Sequence, residues 1–294
     1  MIKIIITINN EEKNINILND YLFSKLFGER GCERETLHII NTITEKKFTS
    51  LSYEPNEMKG RHKGHKKSNV DVLVIMNEGT VVNIESQIKK QKDFHKRSHF
   101  YSSKIFSIFL SVGQNYEKLP MGITINILGF DLHETENYHS SLVLCDKKSK
   151  NYKIEDILES HYIQLPKFRK AVQKGKIDLN DPEVRLILLM DIKTPQELIE
   201  KVIKMDKFAN DIYEKTLHVL QNQKEYLSYI RAEQAEIDYK AQIEYAEEKG
   251  EEKGIEKGEH KKAIEVATQL KNLDLPIEKI AEITGLPIKK IKEL

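Results

Sequence analysis

Several things are missing from this sequence, and each absence narrows what the chain can be. Its two cysteines, Cys32 and Cys145, lie far apart and fit no metal-ligand or disulfide framework, which points to a reducing compartment. No window approaches the roughly 18 consecutive apolar residues of a membrane-spanning helix. The opening MIKIIITI, Met1 to Ile8, runs straight into Asn9, Asn10, Glu11 and Glu12 with no small-residue cleavage site, so it reads as a strand and not as a secretory leader. A cytoplasmic protein without a membrane segment is expected. An excess of one charge is also absent: 47 Lys and Arg face 46 Asp and Glu, so affinity for an acidic partner has to come from local patches. At 294 residues the chain exceeds any small stapled scaffold, and one catalytic domain with appendages is the natural expectation.

What is present has a clear order. Asn19 and Asp20 can cap a helix carrying Leu22, Phe23, Leu26 and Phe27, and Leu37, Ile40 and Ile43 follow at helical spacing. Residues 58–67, MKGRHKGHKK, have no apolar period and read as an exposed basic loop. Val70 to Met76 and Thr80 to Gln87 are rich in β-branched residues and flank Asn77-Glu78-Gly79, which predicts a hairpin. Phe94 to Tyr116 is apolar at helical spacing, and Ile123 to Phe130, Ser141 to Leu144 and Tyr162 to Leu165 supply further strands. Strands, helix, then strands imply an α/β fold with a mixed sheet. Beyond Pro166 the pattern turns helical. The expected division is 1–168 as the catalytic domain, 169–249 as a helical region, 250–260 as a flexible or weakly helical Gly/Glu/Lys connector, and 261–294 as a small helix-turn-helix-like tail.

The hairpin carries the chemistry. Asp71 heads one apolar strand and Glu85 interrupts the next, and burying such charges unpaired is costly. Two close carboxylates repel unless a proton or a metal resolves them, and a hard cation such as Mg²⁺ takes oxygen ligands in that arrangement. Glu85 and Gln87, two apart on a strand, share a face, while Ile84 and Ser86 point to the other. Spacing alone leaves a metal site and ordinary edge-hairpin positions both open.

Asp, a turn, and a strand carrying Glu-x-Gln in NIESQ, 83–87, resembles the PD-(D/E)xK nuclease superfamily, and within it the recombination-promoting nuclease and transposase family. The segments NDYLFSKLFG at 19–28, VDVLV at 70–74, RSHFYSSKIFS at 97–107, GQNYEKLP at 113–120, ITINILGF at 123–130, IQLPKF at 163–168 and the tail EKGIEKG with IAEITGLPIKKIKEL carry the likeness. It implies a restriction-endonuclease-like sheet flanked by helices and phosphodiester hydrolysis in DNA. Mg²⁺ (or Mn²⁺) would be held by Asp71 and Glu85 and by the backbone carbonyl after Glu85, with Gln87 standing where the superfamily usually has Lys. An amide orients a water or phosphate oxygen but supplies no positive charge. The likeness also implies a further ligand role for Asp20, against helix capping, and a phosphate-contacting role for Arg97 and Tyr101, against packing and solvation.

Other signals stay divided. Lys59, Arg61, Lys63, Lys66 and Lys67 suit a loop that tracks a phosphate backbone as well as one that is merely solvated. His62 and His65 lack a second ligand pair. Lys289, Lys290 and Lys292 lie on a would-be recognition helix without a base-reading Arg, Asn or Gln, which equally fits a packing or dimerisation element, and a homo-oligomer is open. Three functions follow in order: a DNA endonuclease of low sequence specificity, a DNA-binding or assembly protein that keeps the fold without useful catalysis, and a strand-transferring transposase.

Overall fold

A computed structural model of the chain describes residues 5–8, 11–54, 57–58, 68–69, 71–88, 93–109, 115–132, 134–149 and 152–294. The opening residues form a separate hairpin of β1 (Ile5–Ile8) and β2 (Glu11–Asn14). Asn19 is the cap of α1 (Asp20–Phe23), its Oδ1 accepting from the Tyr21 and Leu22 amides at 3.1 and 3.3 Å, which supplies two of the amides a helix start leaves unpaired. The helix continues as a π turn, Ser24–Gly28. Helix α2 (Glu33–Thr44) follows, burying Ile39, Ile40 and Ile43 and ending at Glu45 in the left-handed region, φ 56°.

Next come β3 (Leu51–Tyr53), the short pair β4 (Glu57–Met58) and β5 (Ser68–Asn69), and the hairpin of β6 (Val72–Met76) and β7 (Val81–Gln87). Gly79, at φ +84°, closes the hairpin turn, and its amide donates to the Met76 carbonyl at 2.8 Å. Helix α3 (Phe94–Phe109) crosses over to β8 (Gly122–Leu128), and β9 (His139–Cys145) and β10 (Lys153–Gln164) complete the sheet. The six strands lie in the order β3-β6-β7-β8-β10-β9, with β7, β8 and β10 parallel and the others antiparallel to their neighbours. This is the expected mixed α/β sheet.

Because side chains alternate along a strand, register assigns each residue to a face. One face presents Val72, Val74, Val82, Ile84, Ile123, Ile125, Ile127 and Ile163, all buried in the main apolar core together with α1 and α2. The same face ends near the β9 edge in a hydrogen-bonded chain of ionisable groups. Glu183 meets His139 Nδ1 at 2.7 Å, His139 Nε2 meets His161 Nδ1 at 3.0 Å, His161 Nε2 meets Glu159 Oε1 at 3.0 Å, and Lys46 reaches Glu159 Oε2 at 3.0 Å. The opposite face is polar: Asn83, Glu85, Thr124, Asn126, Ser160 and Tyr162 are buried there. Ser98 and Ser102 of α3 are buried too, and Ser98 Oγ lies 3.2 Å from the Tyr162 hydroxyl.

Helices α4 (Leu165–Gln173), α5 (Pro182–Met190), α6 (Gln196–Met205) and α7 (Lys207–Gln221) follow, α5 capped by Asp181 and α7 by Asp206. Helix α8 (Gln223–Asn272) precedes α9 (Ile277–Thr284) and α10 (Ile288–Lys292). The chain divides into two compact units, Met1–Ala232 and Glu233–Leu294. In the second, Ala267, Ile280, Leu286 and Ile291 form a small core, and Gly285 turns the chain at φ +67°. Among the described residues no helix is long and apolar enough to cross a membrane.

Three expectations change. The stretch expected as a flexible or weakly helical connector, 250–260, lies inside α8, because the Glu and Lys around Gly250, Gly254 and Gly258 are strong helix formers. The long helix does not include Tyr116: Asn115 is extended and its side chain accepts from the Glu117 amide at 3.3 Å, starting a separate 3₁₀ turn, Tyr116–Lys118. Strand β10 begins nine residues before Tyr162 and stops at Gln164, since α4 starts at Leu165 with Pro166 in its first turn.

Candidate active site

The antiparallel register pairs Val72 with Ile84, which sets Asp71, one residue before β6, opposite Glu85 on β7 and on the polar face. Asp71 is held there by a backbone donor, the Ser86 amide at 2.7 Å from its Oδ2. The Ser86 side chain points to the other face and donates to the Leu18 carbonyl at 3.3 Å, tying β7 to the segment that leads into α1. On the same side Gly28 ends the π turn so close to the strand that an added Cβ would stand 3.3 Å from the Asp71 carbonyl oxygen.

Glu85 is only 6% exposed. Burial and then the neighbouring Asp71 charge push its carboxyl up to about 7, opposed by a side-chain hydrogen bond from Asn83 and by the Arg97 charge. Burial likewise raises Asp71 to about 6. The Ser86 amide opposes that rise, the Asp20 charge adds to it, and Arg97 opposes it. The site is therefore a carboxylate pair in a protein-lined setting, with one guanidinium from α3 acting on both members.

The other expected residues fall as follows. Asn19 performs the capping, so Asp20 stands exposed as the first residue of α1 with its charge felt at Asp71. Gln87 shares the face of Glu85 and is partly exposed. Its carbonyl accepts from the Gly129 amide at 3.0 Å, and at Gly129 an added Cβ would come within 2.3 Å of the Ile88 carbonyl oxygen and 2.8 Å of Ile88 Cα. Arg97 is partly exposed on α3, and Tyr101 lies one turn further along the same helix. The basic residues Lys59, Arg61, Lys63, Lys66 and Lys67, with His62 and His65, lie outside the described residues. Lys289, Lys290 and Lys292 are exposed on α10, in the second unit.

Two participants were not singled out from sequence: Ser86, through its amide, and Asn83, whose Nδ2 donates to Glu85 Oε1 at 3.3 Å. Asn83 was visible only as the residue two before Glu85 in NIESQ. Its own Oδ1 is buried and has no hydrogen-bond partner among the described residues.

Among the described residues no three His, Cys, Asp or Glu side chains gather into a metal-ligating group, so Asp20 does not complete a triad with the pair. Two carboxylates nevertheless suit Mg²⁺, which binds through one or two of them and keeps several waters. The orphaned Asn83 oxygen beside the pair is a further sign that a cation or its water belongs in this place. The donor set, all oxygen, fits a hard divalent ion.

Residues 17–246 match a family model described as PD-(D/E)XK nuclease family transposase. No curated protein and no solved structure matches the chain.

Proposed function

The chain belongs to the PD-(D/E)XK nuclease family of transposases, and on that premise we propose that it is a divalent-metal-dependent DNA endonuclease of low sequence specificity, acting in recombination or mobile-element biology. The observation that carries this reading is the Asp71–Glu85 pair on the polar face, with Glu85 buried, Asp71 half-buried and both carboxyls pushed up by desolvation.

Asp71 and Glu85 would hold Mg²⁺ or Mn²⁺, with the Ser86 backbone carbonyl and Asp20 as further ligands of the ion or its water. The bound ion supplies a polarised phosphate and an attacking water of lowered pKa. Gln87, on the face of Glu85, orients that water or a phosphate oxygen through its amide. Arg97, whose charge already acts on both carboxylates, takes a phosphate oxygen of the DNA, with Tyr101 one turn away. The basic residues Lys59, Arg61, Lys63, Lys66 and Lys67 would contact the phosphate backbone and carry affinity without sequence preference.

Gln87 favours one second reading, a DNA-binding protein of the same fold with little catalysis, because an amide leaves the site a positive charge short of the usual Lys. Supercoiled plasmid incubated with wild type and Asp71→Ala, in Mg²⁺ and in EDTA, separates them. Nicking by wild type in Mg²⁺ alone is the expected result; intact plasmid in all lanes, with salt-sensitive binding that survives Asp71→Ala, establishes the silent protein instead.

A further inference from the structure

The polar face of the sheet contains one group that a purely structural account leaves unexplained. Asn83 is 2% exposed, yet only half of its amide is satisfied: Nδ2 reaches Glu85 Oε1, and among the described residues Oδ1 has nothing to accept from. The hydroxyl opposite it in the register, Thr124, is already committed, donating to Ser160 Oγ at 3.0 Å and lying 3.5 Å from Asn126 Nδ2. A half-satisfied buried amide destabilises a fold relative to an apolar side chain of the same shape. Its presence two residues before Glu85, on the same face and turned to donate to that carboxylate, is the arrangement expected when the amide serves the site and not the core.

We propose that Asn83 is a positioning residue of the carboxylate pair: its Nδ2 fixes Oε1 of Glu85, leaving the other oxygen for the ion, and its Oδ1 seats a water of the ion's hydration shell. This rests on the reading of Asp71 and Glu85 as ligands. It adds a residue two positions upstream of Glu85 that controls how tightly the divalent ion is held, separately from whether cleavage follows.

The test is thermal melting of the full-length protein and of Asp71→Asn, Asn83→Leu and Asn83→Asp, in EDTA and across a Mg²⁺ titration. Wild type should gain melting temperature with Mg²⁺ and Asp71→Asn should not. Asn83→Leu, which removes the orphaned oxygen, should melt at or above wild type in EDTA while needing about tenfold more Mg²⁺ for half of its rise. Asn83→Asp keeps the shape but sets a third carboxylate against Glu85, so it should melt below wild type in EDTA and gain more from Mg²⁺. A merely structural role predicts the reverse, Asn83→Leu melting well below wild type with an unchanged Mg²⁺ midpoint. That result overturns the proposal, as does a Mg²⁺ response of Asn83→Asp equal to wild type. If Mg²⁺ moves neither wild type nor Asp71→Asn, the metal reading itself has failed, and the role of Asn83 falls with it.

Discussion

The two faces of the central sheet each bury ionisable side chains, and they resolve the cost in opposite ways. On the apolar face, Glu183, His139, His161, Glu159 and Lys46 form an unbroken chain of contacts at 2.7 to 3.0 Å. Burial depresses His161 to about 4, which keeps that ring neutral, and each carboxylate of the cluster has an imidazole or ammonium partner. On the polar face, burial raises both Asp71 and Glu85, the Asp71 charge adds to the rise of Glu85 and the Asp20 charge to that of Asp71, with Arg97 as a partial counter-charge. A cluster that balances itself is a staple for the β9 edge; one that does not is waiting for something from outside.

The sharpest way to break this contrast is Glu85→Gln. Removing one carboxylate should lower Mg²⁺-dependent nicking at least about a hundredfold, since metal-centred charge stabilisation is worth several kcal/mol of barrier, while leaving the metal-free protein as stable or more so. A time course on plasmid together with a urea melt in EDTA reads both. The same operation on the balanced cluster should do the opposite. His161→Ala would strip Glu159 of a partner and leave His139 Nε2 unpaired, so urea unfolding should show a loss of roughly 3 kcal/mol, with the Mg²⁺ dependence of nicking unaltered.

The pH dependence sharpens the comparison further. Both site carboxyls have folded values raised above their ordinary ones, so between about pH 4 and 7 the folded protein holds protons that the unfolded chain has released. Stability in EDTA should therefore be greatest below that window and fall as pH rises through it, with a ceiling on the order of 3 kcal/mol for each group. Asp71→Asn combined with Glu85→Gln should flatten the curve, and Mg²⁺ should restore wild type most strongly at pH 8. A wild-type curve that rises across the window would contradict the assignment. For scale, a change outside both clusters should be small: Gly254→Ala, in the middle of α8 with open space around it, should add about 0.5–1 kcal/mol.

Much of this architecture was legible in the sequence where period and punctuation agreed. The hairpin showed itself through alternating β-branched residues around Asn77-Glu78-Gly79, and the pairing of Asp71 with Glu85 followed from it. Strand β3 escaped because three residues cannot display a period, and the start of β10 because Lys153 and Glu155 break the apolar pattern. Helix α8 ran through three glycines because their cost is spread among many good helix formers. Within the site, what sequence cannot convey is convergence. Arg97 acts on both carboxylates only once α3 is laid across the polar face, and the orphaning of the Asn83 oxygen depends on Thr124 of the neighbouring β8 being committed to Ser160.

The contact at Gly129 has a consequence for how this protein can vary. With Ile88 backbone atoms standing where any side chain would begin, position 129 has an alphabet of one letter, whereas Gln87, which leans on it through the 3.0 Å bond, sits partly in the open and tolerates many letters. A saturation library across residues 85–130, selected only for folded protein, would thus retain glycine at 129 and allow residue 87 to drift. The scaffold of the site would be inherited more strictly than the chemistry it displays.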